Sequence, residues 1–257
     1  MQARFYLPQW GRFASPDPAR DQHFEETQSW NIYSYVQNNP VMIVDPIGMF
    51  EWGAGYTGDS KDVVGRRAAF IGALDATRAN LGKVSDVGDR ALLQRSIDAY
   101  GSAGDNNGVT VGFQASISDA AAKAELTGFG VDPKNEMQVR AEVKVTFSDN
   151  SDMGIDLPHE GSHAGDMQTL GKSMNTTGNP TGDPNNLTNR ETETKAYTVS
   201  AVAGEAAGRS KVQYAGGTVH DKDWKPSVAA KKNRADGVKK QVDTYKNKDK
   251  RLYEEKK

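Results

Sequence analysis

The stretch DLPHEGSHAGD, residues 156–166, places two of the chain's four histidines in one predicted helix. His159 and His163 are four residues apart, and residues at that spacing lie on the same face of an α-helix. Glu160 directly follows the first histidine, so its carboxylate projects beside that face. The pattern therefore predicts a metal site with two histidine ligands and an adjacent carboxylate base.

This HExxH pattern suits hydrolysis assisted by a zinc ion. Zinc lowers the pKa of water at an open coordination position toward about 7, and a carboxylate takes the proton as the water attacks a carbonyl. Pro158 favours a helix that starts near this point, because the first turn of a helix does not need its missing N–H. The alternative is a surface helix with two unligated histidines, although Gly161 and Ser162 are poor helix formers.

A third ligand must come from elsewhere, because hydrolytic zinc sites usually take three protein ligands. Asp166 lies on the same helix, but its short side chain starts a turn further along the axis. Glu191 and Glu193 lie on a second predicted helix about 200° apart, so only one of them faces the first helix. Small Ala196 favours close approach on the side of Glu193, whereas Glu191 shares a face with Lys195. We therefore predict Glu193, with Glu191 and Asp166 as rivals.

The composition limits the remaining possibilities. The chain has 257 residues, a formal net charge of −2 and no cysteine, which excludes disulfides and thiolate metal sites. No apolar run is long enough to span a membrane, and the first residues lack the pattern of a signal peptide. Segment 229–257 carries eleven Lys and Arg against five Asp and Glu. Such a segment binds nucleic acid or anionic lipid, or forms a solvated terminal helix.

Hydrophobic periodicity predicts an α+β fold. Segment 137–147 alternates apolar and polar residues and is the clearest predicted strand. The other predicted elements are helices over 61–80, 86–100 and 187–207, a strand over 108–114, a strand at 30–36 and a loop over 174–186. Composition divides the chain into three predicted regions, 1–49, 50–228 and the basic tail 229–257.

The first region resembles the C-terminal end of the RHS repeat-associated core domain. It contains ARFYLPQWGRFASPDP, residues 3–18, followed by WNIYSYVQNNPVMIVDPIGM, residues 30–49. The matching residues are Arg4, Tyr6, Gly11, Arg12, Phe13, Asp17, Pro18, Asn31, Tyr33, Tyr35, Val36, Asn38, Asn39, Pro40, Asp45, Pro46 and Gly48. The match covers about a fifth of the chain.

This resemblance implies a β-cage shell that encloses a variable C-terminal toxin and cuts its own chain after the DPxG motif. The cut would fall between Met49 and Phe50. Asp45 matches the motif aspartate, and Asp17 is its best upstream partner, as a carboxylate pair that activates water. The alternative is that these aspartates only cap turns.

The segments HEGSHAGDMQ and NRETETKAY resemble metallopeptidase toxin domains found behind RHS cores. Glu193, Ala196 and Tyr197 match the ExxAY-type element of a gluzincin-like site, which implies Glu193 as a ligand. Such zincin folds bind extended substrate along an edge strand beside the site, and strand 137–147 is the candidate. Asp166 is a candidate for orienting a histidine. Tyr197 is a candidate for orienting a ligand or stabilising the transition state, and His220 is a candidate transition-state donor. A loop histidine without a role is the alternative for His220.

Together these features predict a β-rich RHS core remnant joined to a zincin-like zinc metallopeptidase toxin with a basic helical tail. The resemblance implies a bacterial effector that is made in the cytoplasm and exported, through a type VI apparatus, to act on a protein of a competing cell. It also implies a missing RHS shell and a cognate immunity protein. Two rivals stay open: a toxin that acts on nucleic acid through the basic tail, and a non-catalytic shell or binding fragment without zinc.

Overall fold

The chain divides into two compact units, Met1–Gly48 and Met49–Lys257. The computed structural model describes residues 6–7, 12–13, 51–53, 56, 60–101, 107–118, 120–132, 135–223 and 228–254. In the first unit, strand β1 (Tyr6–Leu7) pairs antiparallel with strand β2 (Arg12–Phe13). The predicted strand at 30–36 and the predicted self-cleavage residues lie outside the described residues; these are Asp17, Asp45, Met49 and Phe50.

The second unit is a mixed α+β structure, as the periodicity predicts. Its elements are β3 (Glu51–Trp52), α1 (Lys61–Asn80), a 3-10 turn (Leu81–Lys83), α2 (Val87–Asp98), β4 (Val109–Gln114), β5 (Ala122–Asp132), β6 (Asn135–Ser148), α3 (Met153–Thr177), α4 (Asn189–Ala206), β7 (Lys211–Gln213), β8 (Thr218–Asp221) and α5 (Val228–Asp243). The helices predicted at 61–80, 86–100 and 187–207 and the strands predicted at 108–114 and 137–147 are confirmed within two residues at most of their ends.

Strand β6 lies inside a four-stranded sheet with the order β3-β4-β6-β5. It pairs in parallel with β4 on one side and antiparallel with β5 on the other. The prediction that strand 137–147 forms the edge is therefore wrong, because β5, which the sequence did not reveal, covers that side. Among the described strands, β5 and β3 are the two edges of this sheet.

The main hydrophobic core lies between this sheet and the first three helices. Val143, Val145 and Phe147 of β6 are buried, as their alternation predicts. They pack in one cluster with Phe70 of α1 and Leu157 of α3. The core thus holds helix α3 against the sheet with its histidines at the level of β5 and β6.

Helix α3 begins earlier than the sequence predicts. Asp152 caps it by accepting a hydrogen bond from the N–H of Gly154 at 3.2 Å, so the first helical residue is Met153. Pro158 therefore lies inside the helix, where it cannot donate to the carbonyl of residue 154. The helix also runs past the predicted loop start and ends at Gly178, whose φ of 65° is the left-handed conformation that ends many helices.

Gly161, between the two histidines, lets α2 approach α3 closely. A Cβ at this position would lie 2.1 Å from the carbonyl oxygen of Ser96 and 2.8 Å from the Tyr100 ring. At Gly165, one turn further, the nearest atom to an added Cβ is at 3.6 Å, an ordinary contact. The two glycines therefore sit on one helix face in different packing environments.

We expect Gly161→Ala to lower the free energy of unfolding by at least about 1–3 kcal/mol, because backbone atoms of α2 must move to admit the methyl group. The matched control Gly165→Ala should be neutral or stabilising by up to about 1 kcal/mol, since alanine favours helix and meets no clash. Urea unfolding measures both changes. Equal stability of Gly161→Ala and the wild type would contradict the close packing.

The basic segment was predicted to be a separate, partly helical tail. It contains helix α5 and belongs to the second compact unit. Val238 and Val242 of α5 are buried and pack in a cluster with Tyr197 and Ala201 of α4 and with Val219 of β8. The apolar residues on one face of α5 thus anchor it, while its lysines are exposed.

None of the helices that the structure describes has an apolar stretch long enough to cross a membrane.

Candidate metal centre

His159, His163 and Glu193 meet at one point between α3 and α4, and each offers one ligand atom within 4.8 Å of the others. The two Nε2 atoms of the histidines lie 3.3 Å apart. The Glu193 oxygens Oε2 and Oε1 lie 3.6 Å from Nε2 of His159 and 3.7 Å from Nε2 of His163. This cluster can hold a metal ion, with the ligands that the sequence predicts.

Local sequence explains why the three side chains converge. The spacing of four residues puts both histidine rings on one face of α3. Helix α4 presents Glu193 toward that face, and Ala196, fully buried three residues later, leaves room for the two helices to pack. A capping box fixes the start of α4, in which Thr188 and Glu191 each accept a hydrogen bond from the other's N–H.

Ser200 sets the tautomer of His159. Its Oγ lies 3.0 Å from Nδ1 of His159 and donates its own hydrogen to the carbonyl of Ala196 at 3.1 Å. Ser200 must then accept from His159, so the ring carries its hydrogen on Nδ1. The lone pair of Nε2 consequently points toward the cluster, which is the state a metal ligand requires.

The charges of the ligand cluster are tightly coupled. Burial opposes the charged forms, but the Glu193 carboxylate raises the pKa of His163 to about 9. Burial alone would raise the pKa of the Glu193 carboxyl, yet the two histidines hold that pKa well below the usual range. Among the described residues, Glu193 Oε2 is buried without a hydrogen-bond donor. A bound cation would satisfy this oxygen and replace the proton on His163.

Metal binding should therefore release a proton and tighten as the pH rises. A protonated His163 competes with the metal, so affinity is expected to rise about tenfold per pH unit from about pH 7 and to level off near its pKa of about 9. Competition with a chelator, corrected for the chelator's own protonation, measures this. His220→Gln should show the same profile, and an affinity independent of pH above 7 would contradict the coupling.

Glu160 lies beside the ligands in a cleft of about 1010 Å³. Its side chain is buried, and burial raises the pKa of its carboxyl. Lys123 and Glu125 of the edge strand β5 and Thr146 of β6 line the same cleft. The predicted base therefore faces a space that is bordered by a sheet edge.

Aromatic rings enclose the other side of the cluster. The Tyr197 ring packs edge-on against His159, with the ring centroids 4.7 Å apart, and Tyr214 packs edge-on against Tyr197 at 4.6 Å. The Tyr197 hydroxyl lies 2.7 Å from that of Tyr245 and accepts from Nε2 of Gln241 at 3.1 Å. Tyr197 is thus a neighbour of the ligand His159. The Tyr197 hydroxyl already contacts two side chains from the C-terminal part of the chain, Gln241 and Tyr245.

Asp166 and Glu191, the rival ligands, lie outside the cluster. Asp166 Oδ1 accepts from Arg95 at 2.8 Å and from Lys195 at 3.0 Å, so its bonds go to cations and not to a histidine as predicted. Glu191 accepts from Thr188 in the capping box. Lys195, which shares a helix face with Glu191, pairs with Asp166 instead.

His220 is buried on β8, away from the ligands that line the cleft. Its Nε2 lies 2.9 Å from the carbonyl oxygen of Arg209, to which it must donate. The ring thus bonds to the segment before β7, the strand that pairs with β8. His220 is not among the residues that line the cleft with Glu160.

Sequence reasoning missed three residues around the cluster, namely Ser200, Gln241 and Tyr245. Ser200 is seven residues after Glu193, hence on the same helix face, and that spacing was an available signal. Gln241 lies in α5, and Tyr245 is the second residue after that helix. No local pattern connects either residue with a histidine on α3.

Comparison of the chain with protein-family models, with curated proteins and with solved structures found no match.

Proposed function

We propose that the second unit is a zinc metallopeptidase with a zincin-like arrangement of its site. The carrying observation is the set of distances around the cluster: 3.3 Å between the two Nε2 atoms, 3.6 Å from Nε2 of His159 to Oε2 of Glu193, and 3.7 Å from Nε2 of His163 to Oε1 of Glu193. Zinc bonds of about 2.0–2.2 Å at tetrahedral angles separate ligand atoms by about 3.3–3.6 Å, so one zinc ion fits between them with little movement. Two imidazoles and one carboxylate leave the fourth position open, which is typical of hydrolytic rather than structural zinc sites.

Glu160 serves as the general base and then as the proton donor in this proposal. A zinc ion at the site would supply Lewis-acid activation of water and of the scissile carbonyl. Glu160 accepts the proton of the attacking water and returns it to the amine that leaves. Burial raises the pKa of its carboxyl, which makes Glu160 a better proton acceptor than an exposed glutamate.

The substrate is proposed to be an extended peptide along β5. This strand is an edge of the sheet, and its residues Lys123, Ala124 and Glu125 line the cleft that holds Glu160. An edge strand offers unpaired N–H and C=O groups to an added strand. The strand proposed to pair with the substrate is therefore β5 and not β6, the strand that the sequence predicted.

The wider role follows from the RHS resemblance of residues 1–49. We propose a toxin released from an RHS shell by cleavage between Met49 and Phe50, delivered to a competing cell and neutralised by an immunity protein that covers the cleft. A complete shell protein should yield a fragment whose intact mass corresponds to a start at Phe50, and Asp45→Asn should abolish it.

Nucleic acid is a weaker partner, since Lys231 and Arg234 of α5 pair with Asp86 and Asp89.

Elemental analysis of the purified full chain tests the metal centre, and a peptide-library assay tests the activity. We expect close to one zinc per chain, hydrolysis of a subset of peptides, and loss of both after dialysis against a chelator. His159→Ala should hold no zinc, whereas the matched variant His220→Ala should hold as much as the wild type. A folded wild type that holds no metal under zinc-replete conditions would refute the proposal.

A further inference from the structure

The C-terminal residues Asn247–Tyr253, here called the C-terminal strap, lie across the start of the helix that carries Glu193. The N–H of Asn189 donates to the carbonyl of Lys250 at 2.7 Å, and the N–H of Arg190 donates to that of Lys248 at 2.8 Å. The strap returns one bond, from the N–H of Leu252 to the carbonyl of Leu187 at 2.9 Å. Backbone atoms thus join the strap to the first turn of α4 and to Leu187, the residue before its N-cap.

These bonds complete the N-terminal cap of α4. The first four N–H groups of a helix have no partner within it. The side chain of Thr188 takes one of them, that of Glu191, at 3.3 Å, and the strap carbonyls take those of Asn189 and Arg190. Arg190 is three residues before Glu193, less than one helical turn. The strap therefore holds the turn of α4 from which the third metal ligand projects.

Asn186 fastens the strap at its far end. Its side-chain amide donates to the carbonyl of Tyr253 at 3.0 Å and accepts from the Tyr253 N–H at 2.9 Å. Asn186 is fully buried, so loss of this pair leaves buried polar groups without partners. The Tyr253 ring packs 5.7 Å from that of Phe129 on the edge strand β5.

The other end of the strap leads back to the metal ligands. Tyr245, two residues before the strap, lines the cleft, and its hydroxyl lies 2.7 Å from that of Tyr197. Leu252, within the strap, lines the same cleft. The segment therefore borders the cleft at both ends.

We propose that the C-terminal strap is a positioning element of the metal centre, so that docking of the strap and binding of the metal stabilise each other. Docking fixes the first turn of α4 and hence the Glu193 carboxylate at its distance from the two histidines. Because the coupling is a free energy shared by the two events, the metal must also strengthen the docking of the strap. This inference rests on the proposed metal centre.

Asn186→Ala in the full chain tests the first direction. We expect its zinc affinity, measured by chelator competition, to fall about 10- to 100-fold, the range found when groups that orient metal ligands are removed. The matched control is Asn185→Ala, since within the part of the chain that the structure describes the Asn185 side chain bonds to Asp183 of its own loop. An Asn186→Ala protein with wild-type affinity would overturn the proposal.

Hydrogen exchange of the wild type tests the second direction without any variant. Zinc should slow exchange at least about tenfold at the N–H groups of Asn189, Arg190 and Leu252. Thr181, whose N–H bonds to Asn179 in the neighbouring loop, should change less. Zinc binding with no slowing at the strap, or with equal slowing at Thr181, would overturn the coupling alone. A wild type that binds no zinc would overturn the metal centre together with the coupling.

Discussion

Glu160→Gln is expected to bind zinc as tightly as the wild type and to lose at least about 10²-fold in the rate of peptide hydrolysis. Glutamine has nearly the same size and keeps hydrogen-bonding groups in the cleft, but it cannot take a proton from water. The ligand atoms of His159, His163 and Glu193 are unchanged, so the metal content should not fall. Elemental analysis and the single-turnover rate on a cleaved peptide measure the two quantities.

A second carboxylate in the cleft supplies the critical comparison. Asp156 is one helical turn before Glu160, lines the same cleft, and burial raises the pKa of its carboxyl. Its Oδ2 accepts from the N–H of Asp152 at 2.7 Å, which commits it to the start of α3. Asp156→Asn should therefore retain most of the rate, and exposed Glu205→Gln should retain all of it. An active Glu160→Gln beside an inactive Asp156→Asn would move the base to Asp156.

Glu193→Ala is expected to weaken zinc binding by more than about 100-fold, a larger loss than removal of a group that only orients a ligand. The carboxylate supplies one of three ligand atoms, and the alanine methyl cannot replace it. Two histidines facing each other at 3.3 Å would remain without the negative charge that would compensate a bound cation. Chelator competition measures the affinity, and circular dichroism verifies that α4 is intact.

Glu191→Ala and Asp166→Ala are the matched controls for this ligand. Glu191→Ala removes the capping box and should cost about 0.5–2 kcal/mol of stability, with a much smaller effect on zinc. Asp166→Ala leaves Arg95 and Lys195 without their buried partner, so its effect should also be on stability. The assignment is wrong if Glu193→Ala binds zinc like the wild type while either control has lost it.

Local patterns of residues suffice to predict several elements of this fold and of its site. Strict alternation in 137–147 identified β6, and the spacing of His159, Glu160 and His163 identified a shared face of α3. The preference for Glu193 also came from the sequence, because Glu191 and Glu193 are about 200° apart on their helix and small Ala196 lies on the side of Glu193. Each of these inferences depends only on the period of a helix or a strand, which nearby residues specify.

The tertiary structure alone decided which partners those elements meet. Strand β6 became an internal strand because β5, whose pattern is interrupted by Gly128 and Gly130, pairs with its free side. Ser200 became the residue that sets the tautomer of His159, and the C-terminal strap became the cap of α4. The contacts of Ser200 and of the strap join residues about 40 to 65 apart in the chain. Helical and strand periods carry no information at such separations, because the packing of the whole unit brings the partners together.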